Sequence, residues 1–173
     1  ASAGGSQTTC PNKPVTVSGA SATNFSAILW THNGNGTLTD ETTLIPTYTP
    51  APADENTTVT LTMTVTGTNS CGTTEATATY EIIVQELPSA TITYDDAEYC
   101  ADAGTISVNF SGTTGGIYSA SPAGLSINSA TGEIDPTASS QGTYTVTYTI
   151  PATATCEPEI ATTTIAINEL PLA

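Results

Sequence analysis

The chain has 173 residues, with 16 Asp and Glu against one Lys and no Arg, for a net charge of −15. A single cation cannot cover nucleic-acid phosphates or hold an anionic membrane surface, so neither partner is expected. No apolar run approaches the roughly 20 residues of a spanning helix, so no membrane insertion is expected. Only 10% of residues are charged and about a fifth are Thr, so hydroxyls replace the usual Lys/Glu surface.

The residue inventory also limits the chemistry. His32 is the one histidine and Lys13 the one lysine. His32 stands in Trp30-Thr31-His32-Asn33-Gly34, which reads as a strand end entering a turn rather than the centre of a catalytic triad. The cysteines and the histidine show no zinc or redox spacing, and no phosphate-cradling Gly-Lys loop occurs. A carboxylate pair for glycoside hydrolysis is allowed by residue type. Aromatics make up only 6% of the chain, too few for an obvious row of sugar platforms. The chain is expected not to be an enzyme and to need no cofactor.

In chain order, Val15–Val17 and Phe25–Trp30 read as the first strands. Asn33-Gly34-Asn35-Gly36 offers two Asn-Gly steps, which favour hairpin turns with positive φ. From Thr58 to Thr66 every odd residue is apolar and every even one is Thr. Such alternation places one face in a core and a hydroxyl face in water. Ala76–Val84, Ile92–Tyr94 and Thr105–Phe110 follow as strands. Gly112, Gly115 and Gly116 mark a bend before Tyr118. Leu125/Ile127 and Ile134 flank a hairpin turn at Asn128–Gly132. Thr143–Ile150 alternates again, and Ile160–Ile167 closes the set. Strands of this length, with turn signals every 8–12 residues and no helical spacing, predict an all-β chain of tandem immunoglobulin-like β-sandwiches.

Glu86-Leu87-Pro88 recurs as Glu169-Leu170-Pro171, each after an apolar strand. The repeat predicts two modules, residues 1–87 and 88–173, joined by a short, stiff Pro-containing linker. The opening Ala-Ser-Ala-Gly-Gly-Ser, without Met, reads as a processed product or a fragment.

Four cysteines, Cys10, Cys71, Cys100 and Cys156, allow three pairings. Sequence order suggests Cys10–Cys71 and Cys100–Cys156, one bridge per module. Each would close a loop of about 60 residues, worth roughly 4 kcal/mol in the chain-entropy model. The alternative is four reduced, buried thiols. Acidity, Thr richness and scarce Lys favour the oxidised, extracellular setting.

Asp95, Asp96, Glu98 and Asp102 form the densest acidic cluster, with Glu86 in the nearby linker. Oxygen ligands at a module joint make these five candidates for calcium, against a plain solvated acidic loop. The pairs Asp40-Glu41 and Asp54-Glu55 read as solvating charge. Trp30, Tyr118, Tyr144 and Tyr148 read as core. No ligand-binding residues are assigned.

The second half carries an ordered set of pieces: Tyr94, Tyr99-Cys100, Gly112-Thr113-Thr114-Gly115-Gly116-Ile117-Tyr118, Pro122–Asn128, Thr131–Ile134, Gly142–Tyr148 and Cys156. Together they resemble the repeat unit of the SprB-type repetitive surface adhesins of gliding Bacteroidetes. The first half, with Trp30, Gly34–Gly36, Pro46–Pro50 and the Thr-alternating strand, resembles the immunoglobulin/PKD-like modules of the same large proteins. Asn69 and Ala154 stand where an antibody-type domain has Tyr two residues before its second Cys. The bridges are therefore expected to tie a strand end or loop to the sandwich edge. The resemblance implies a secreted, cell-surface repeat segment, exported by a type IX system and serving adhesion and gliding motility. Its partners would be neighbouring repeats, polysaccharide or abiotic surfaces. The alternative is a spacer or carbohydrate-binding accessory module of a secreted hydrolase.

Overall fold

A computed structural model describes residues 1–68 and 74–170. The chain divides into two compact units, Ala1–Leu87 and Pro88–Ala173. The described residues contain fifteen β-strands, two short 3₁₀ turns and no α-helix.

In the first unit the strands are β1 (Ser6–Thr9), β2 (Val15–Thr16), β3 (Phe25–His32), β4 (Thr37–Thr39), β5 (Thr47–Thr49), β6 (Thr57–Gly67) and β7 (Glu75–Val84). One sheet has the order β1-β7-β6-β3 and the other β2-β5-β4. The Thr alternation of β6 sets the packing. Val59, Leu61, Met63 and Val65 are buried and join Trp30, Tyr48, Tyr80 and Ile82 in one core. The intervening threonines line the opposite face, where Thr62 pairs with Thr79 and Thr64 with Thr77. Period-2 alternation on one strand thus yields an apolar inner face and a hydroxyl outer face.

The second unit comprises β8 (Ala90–Thr93), β9 (Glu98–Cys100), β10 (Asn109–Gly112), β11 (Ile117–Ser121), β12 (Ser126–Ile127), β13 (Ile134–Asp135), β14 (Gly142–Ile150) and β15 (Glu159–Asn168). Its main sheet has the order β11-β14-β15-β9, with β10-β8 and β12-β13 as smaller pairs. Ile92, Tyr118, Ile134, Tyr144, Val146, Tyr148, Ile165 and Ile167 belong to a second, separate core.

The two main sheets have the same construction. In each, an early strand lies parallel to the last one, which pairs with the long Thr strand, which pairs with a fourth. The register matches as well. Thr9 faces Val84 as Tyr99 faces Ile167, and Trp30 faces Met63 as Tyr118 faces Tyr148. The Trp30 amide donates to the Glu41 carbonyl at 2.7 Å and the Tyr118 amide to the Ser129 carbonyl at 2.8 Å. A Pro-initiated 3₁₀ turn, Pro52–Asp54 or Pro136–Ala138, precedes each long Thr strand. By this register Tyr118 stands in the place of Trp30, and Cys100 in the place of Cys10.

Several expectations need correction. Thr105–Phe110 is not one strand: Ile106 forms an isolated bridge with Ile134, whereas Asn109–Gly112 pairs with β8. The chain changes partners between those points. The Asn33–Gly36 segment holds no positive φ; among the described residues the non-Gly positions that adopt it are Asn12, Asn24, Asp40 and Asn56. Instead Asn33 Oδ1 accepts the Thr60 amide at 2.8 Å. Gly36 is needed for close approach, since a Cβ there would collide with the Thr49 carbonyl oxygen. The hairpin at Asn128–Gly132 forms, with Asn128 Oδ1 accepting the Ala130 amide at 2.9 Å.

Candidate functional site

The first unit contains a buried carboxylate that the sequence reading placed in solvent. Asp54 is 1% exposed. The turn after Pro52 carries it inward beneath Tyr48. Asp54 Oδ1 accepts the Asn35 backbone amide at 2.6 Å and the Asn35 side-chain amide at 3.0 Å. Oδ2 accepts the Tyr48 hydroxyl at 2.7 Å and the Ala51 amide at 3.0 Å. Tyr48 accepts in turn from the Gly36 amide at 2.8 Å. Burial alone would raise the Asp54 pKa, but these hydrogen bonds outweigh it and hold the carboxyl below its ordinary range. Burial and the bond to Asp54 push the Tyr48 phenol up to about 12. Every acceptor site on Asp54 is directed at a turn or strand of its own unit. The group therefore locks loops together and presents no free base. His32 packs its ring 4.9 Å from Tyr48, with its Nδ1 buried and unpartnered.

One of the two bridges expected from sequence order is not formed. Cys10 and Cys156 are buried and disulfide-bonded. Cys100 is exposed and free, so the expected Cys100–Cys156 bridge is not formed. The reason lies in the register. Cys100 faces Asn168 at the far end of β15, whereas Cys156 precedes the start of that strand at Glu159. A strand of 10 residues lies between these levels. That is roughly 30 Å at about 3.3 Å per residue, against the ~7 Å limit for bridged Cα atoms. Cys71, expected as the partner of Cys10, lies outside the described residues. Native alkylation with iodoacetamide followed by Glu-C mapping is expected to label Cys100 fully, and Cys156 only after reduction. Unlabelled Cys100 would contradict this assignment.

The calcium candidates are not brought together. Asp95 Oδ1 accepts from Asn109 Nδ2 at 2.7 Å, and Glu98 Oε2 from Asn168 Nδ2 at 3.0 Å. The Asp96 amide donates to the Tyr99 hydroxyl at 2.9 Å. Asp102 is exposed just beyond β9. Glu86 belongs to the first unit, where Asn56 Nδ2 donates to it at 3.1 Å. Among the described residues no three His, Cys, Asp or Glu side chains form a group able to hold a metal ion. Asp95 and Glu98 each engage a separate Asn instead.

The second unit also carries a concavity. A cleft of about 610 Å³ opens between the β10–β11 connection and the β12–β13 hairpin. Val108, Phe110 and Ile117 supply apolar surface, and Thr114, Ser129 and Thr131 supply hydroxyls. Beneath them the Tyr148 ring packs 4.6 Å from Tyr118 and 5.0 Å from Phe110. The Tyr148 hydroxyl accepts the Gly116 amide at 2.8 Å and donates to the Thr113 carbonyl at 3.1 Å, which pins the glycine loop across it. Only glycine fits there, because a Cβ on residue 116 would lie 2.5 Å from Tyr148 Cζ. The sequence signal for this site was the glycine cluster before Tyr118, read only as a bend. Trp30, Tyr144 and Tyr148 are core, as expected, and Tyr118 is core with one side on the cleft.

No protein-family model matches the chain, and no curated protein matches it. Solved structures do. Mouse clustered PcdhgC3 EC1-3 is 12% identical over 98% of this chain and 66% of its own length, with a TM-score of 0.53. The chain thus spans just under two thirds of that structure. Human protocadherin-24 EC1-2 is 12% identical, covers 97% of this chain and 95% of its own, and has a TM-score of 0.49. A SusE-like surface-located polysaccharide-binding protein from Bacteroides thetaiotaomicron is 13% identical over 95% of this chain and 33% of its own, at a TM-score of 0.36. At these identities the likeness to PcdhgC3 is one of fold: the chain is all-β and built of tandem immunoglobulin-like β-sandwiches. Among the described residues no helix is long and apolar enough to cross a membrane.

Proposed function

We propose that the chain is a pair of consecutive modules from a large extracellular bacterial surface adhesin of the SprB type. The observation that carries this reading is the duplication: two units with the same main-sheet order, the same parallel edge pairing and matching register. A unit repeated with its own core suits an array that gains reach by adding copies. Disulfide-bonded Cys10 and Cys156 favour an oxidising compartment. Cys100, standing where Cys10 stands but free and exposed, suits a module whose counterpart thiol belongs to a further repeat.

In this reading the units perform no reaction. Each Thr-lined sheet face and the −15 charge keep neighbouring filaments hydrated and apart. Attachment to polysaccharide or abiotic surfaces is weak per module and multiplied by repetition. Type IX export and gliding belong to the parent protein by resemblance. Fab fragments raised against the purified chain test the role. Bound to cells, they are expected to cut attachment to glass and polysaccharide-coated surfaces severalfold. Undiminished attachment by Fab-decorated cells would contradict it.

A further inference from the structure

We propose that the cleft of the second unit is a binding subsite for a neutral sugar ring. The inference rests on reading the chain as a surface-binding module and names where and what it binds. Three observations carry it.

The first is an unpartnered hydroxyl. Tyr118 is 5% exposed and lines the cleft, and its phenol oxygen has no hydrogen-bond partner among the described residues. Its neighbours are satisfied: Tyr94 donates to the Gly132 carbonyl at 2.6 Å and Tyr144 to the Ser140 carbonyl at 2.7 Å. Its counterpart in the first unit is satisfied too, with Trp30 Nε1 donating to the Thr43 carbonyl at 2.9 Å. A hydroxyl that reaches the cleft surface and has no partner in its own unit is available to a ligand. The shared architecture does not demand it, since the first unit places a bonded indole at the same position.

The second is the pattern of the lining. A sugar ring offers an apolar C–H face and an edge of hydroxyls. Phe110 and Ile117, the latter 61% exposed, provide the apolar side. Thr114, Ser129, Thr131 and the Tyr118 phenol provide donors and acceptors. The volume of about 610 Å³ falls within the usual range for small-ligand clefts, about 300–1,000 Å³.

The third is charge. Among the described residues no acidic or basic side chain lines the cleft, although the chain carries 16 carboxylates. A cationic ligand would find no counter-ion there. An anionic one would find no cation and would be repelled by the chain as a whole. The complementary ligand is uncharged.

Titration of the whole chain with cellohexaose, laminarihexaose and maltohexaose, followed by amide NMR and calorimetry, tests the proposal, with a galacturonate hexamer as the charged control. At least one neutral hexamer is expected to shift the amides of Gly115, Gly116, Ala130 and Thr131, and the uronate is not. Tyr118→Phe removes only the hydroxyl. It is expected to weaken binding about two- to tenfold, the worth of one hydrogen bond, while thermal stability holds or rises. Ala130→Phe, at an exposed hairpin position, is expected to fill the cleft and abolish binding. Silence at the cleft with every neutral hexamer, equal uronate binding, or unchanged affinity in Tyr118→Phe would overturn the proposal. Shifts confined to the Thr-lined sheet faces would also overturn it, yet would leave the surface-module reading standing.

Discussion

Leu61→Asp is expected to unfold the first unit while the second keeps its tertiary structure. Leu61 is fully buried at the centre of β6, between Val59 and Met63 on the core face. Loss of the leucine alone costs about 2–5 kcal/mol, and an unpaired carboxylate forced into the same space adds several more. The total rivals the roughly 5–15 kcal/mol that holds a whole domain together. The second unit has its own cluster around Ile134, Val146 and Ile165, so the damage should stop at the boundary. Amide NMR of the intact variant reads the outcome directly. Collapse of dispersion for residues 1–87, with native shifts retained for 88–170, is the expected spectrum. Loss of both sets together would mean that the cores are not independent.

Asp54→Ala is expected to be nearly as severe, by a different mechanism. The carboxylate accepts four hydrogen bonds from Asn35, Tyr48 and Ala51. Its removal leaves the buried Tyr48 hydroxyl without its acceptor and breaks three part-buried bonds from Asn35 and Ala51, at a cost of about 3–5 kcal/mol. Asp54→Asn keeps the shape but halves the acceptor capacity, and about 2 kcal/mol is expected. The pH dependence carries a sign. The folded pKa of Asp54 lies below its unfolded value, so its stabilisation is complete above the unfolded pKa of about 3.9. That contribution disappears as pH falls through the folded value. Urea titrations of the first unit at neutral and acid pH should show this loss in the wild type and a flatter profile in Asp54→Ala. Equal slopes would remove Asp54 from the account.

The long strands were legible because alternation is a local signal. The Thr-apolar registers of β6 and β14 show their inner faces without any knowledge of partners. What escaped was set by distant partners. β1 reads Ser-Gln-Thr-Thr, with no apolar period, and becomes a strand only because β7 offers it a parallel edge. β9 hides inside an acidic stretch for the same reason. Asp54 looked like solvating charge because its partners Asn35 and Tyr48 lie in other segments, and no spacing announces them. The pairing of Cys100 with Cys156 followed chain order, whereas an early strand lying parallel to the end of the last one puts them at opposite ends of β15. The cleft was half legible: its glycines were noticed as a bend, but the unpartnered Tyr118 hydroxyl depends on what surrounds it in three dimensions.

The reading of the chain as a displayed array module is tested most directly on intact cells of the source organism. Gold-labelled antibody to the purified chain, imaged by electron microscopy, is expected to decorate filaments outside the cell without permeabilisation. Labelling that emerges only after the envelope is opened would contradict it.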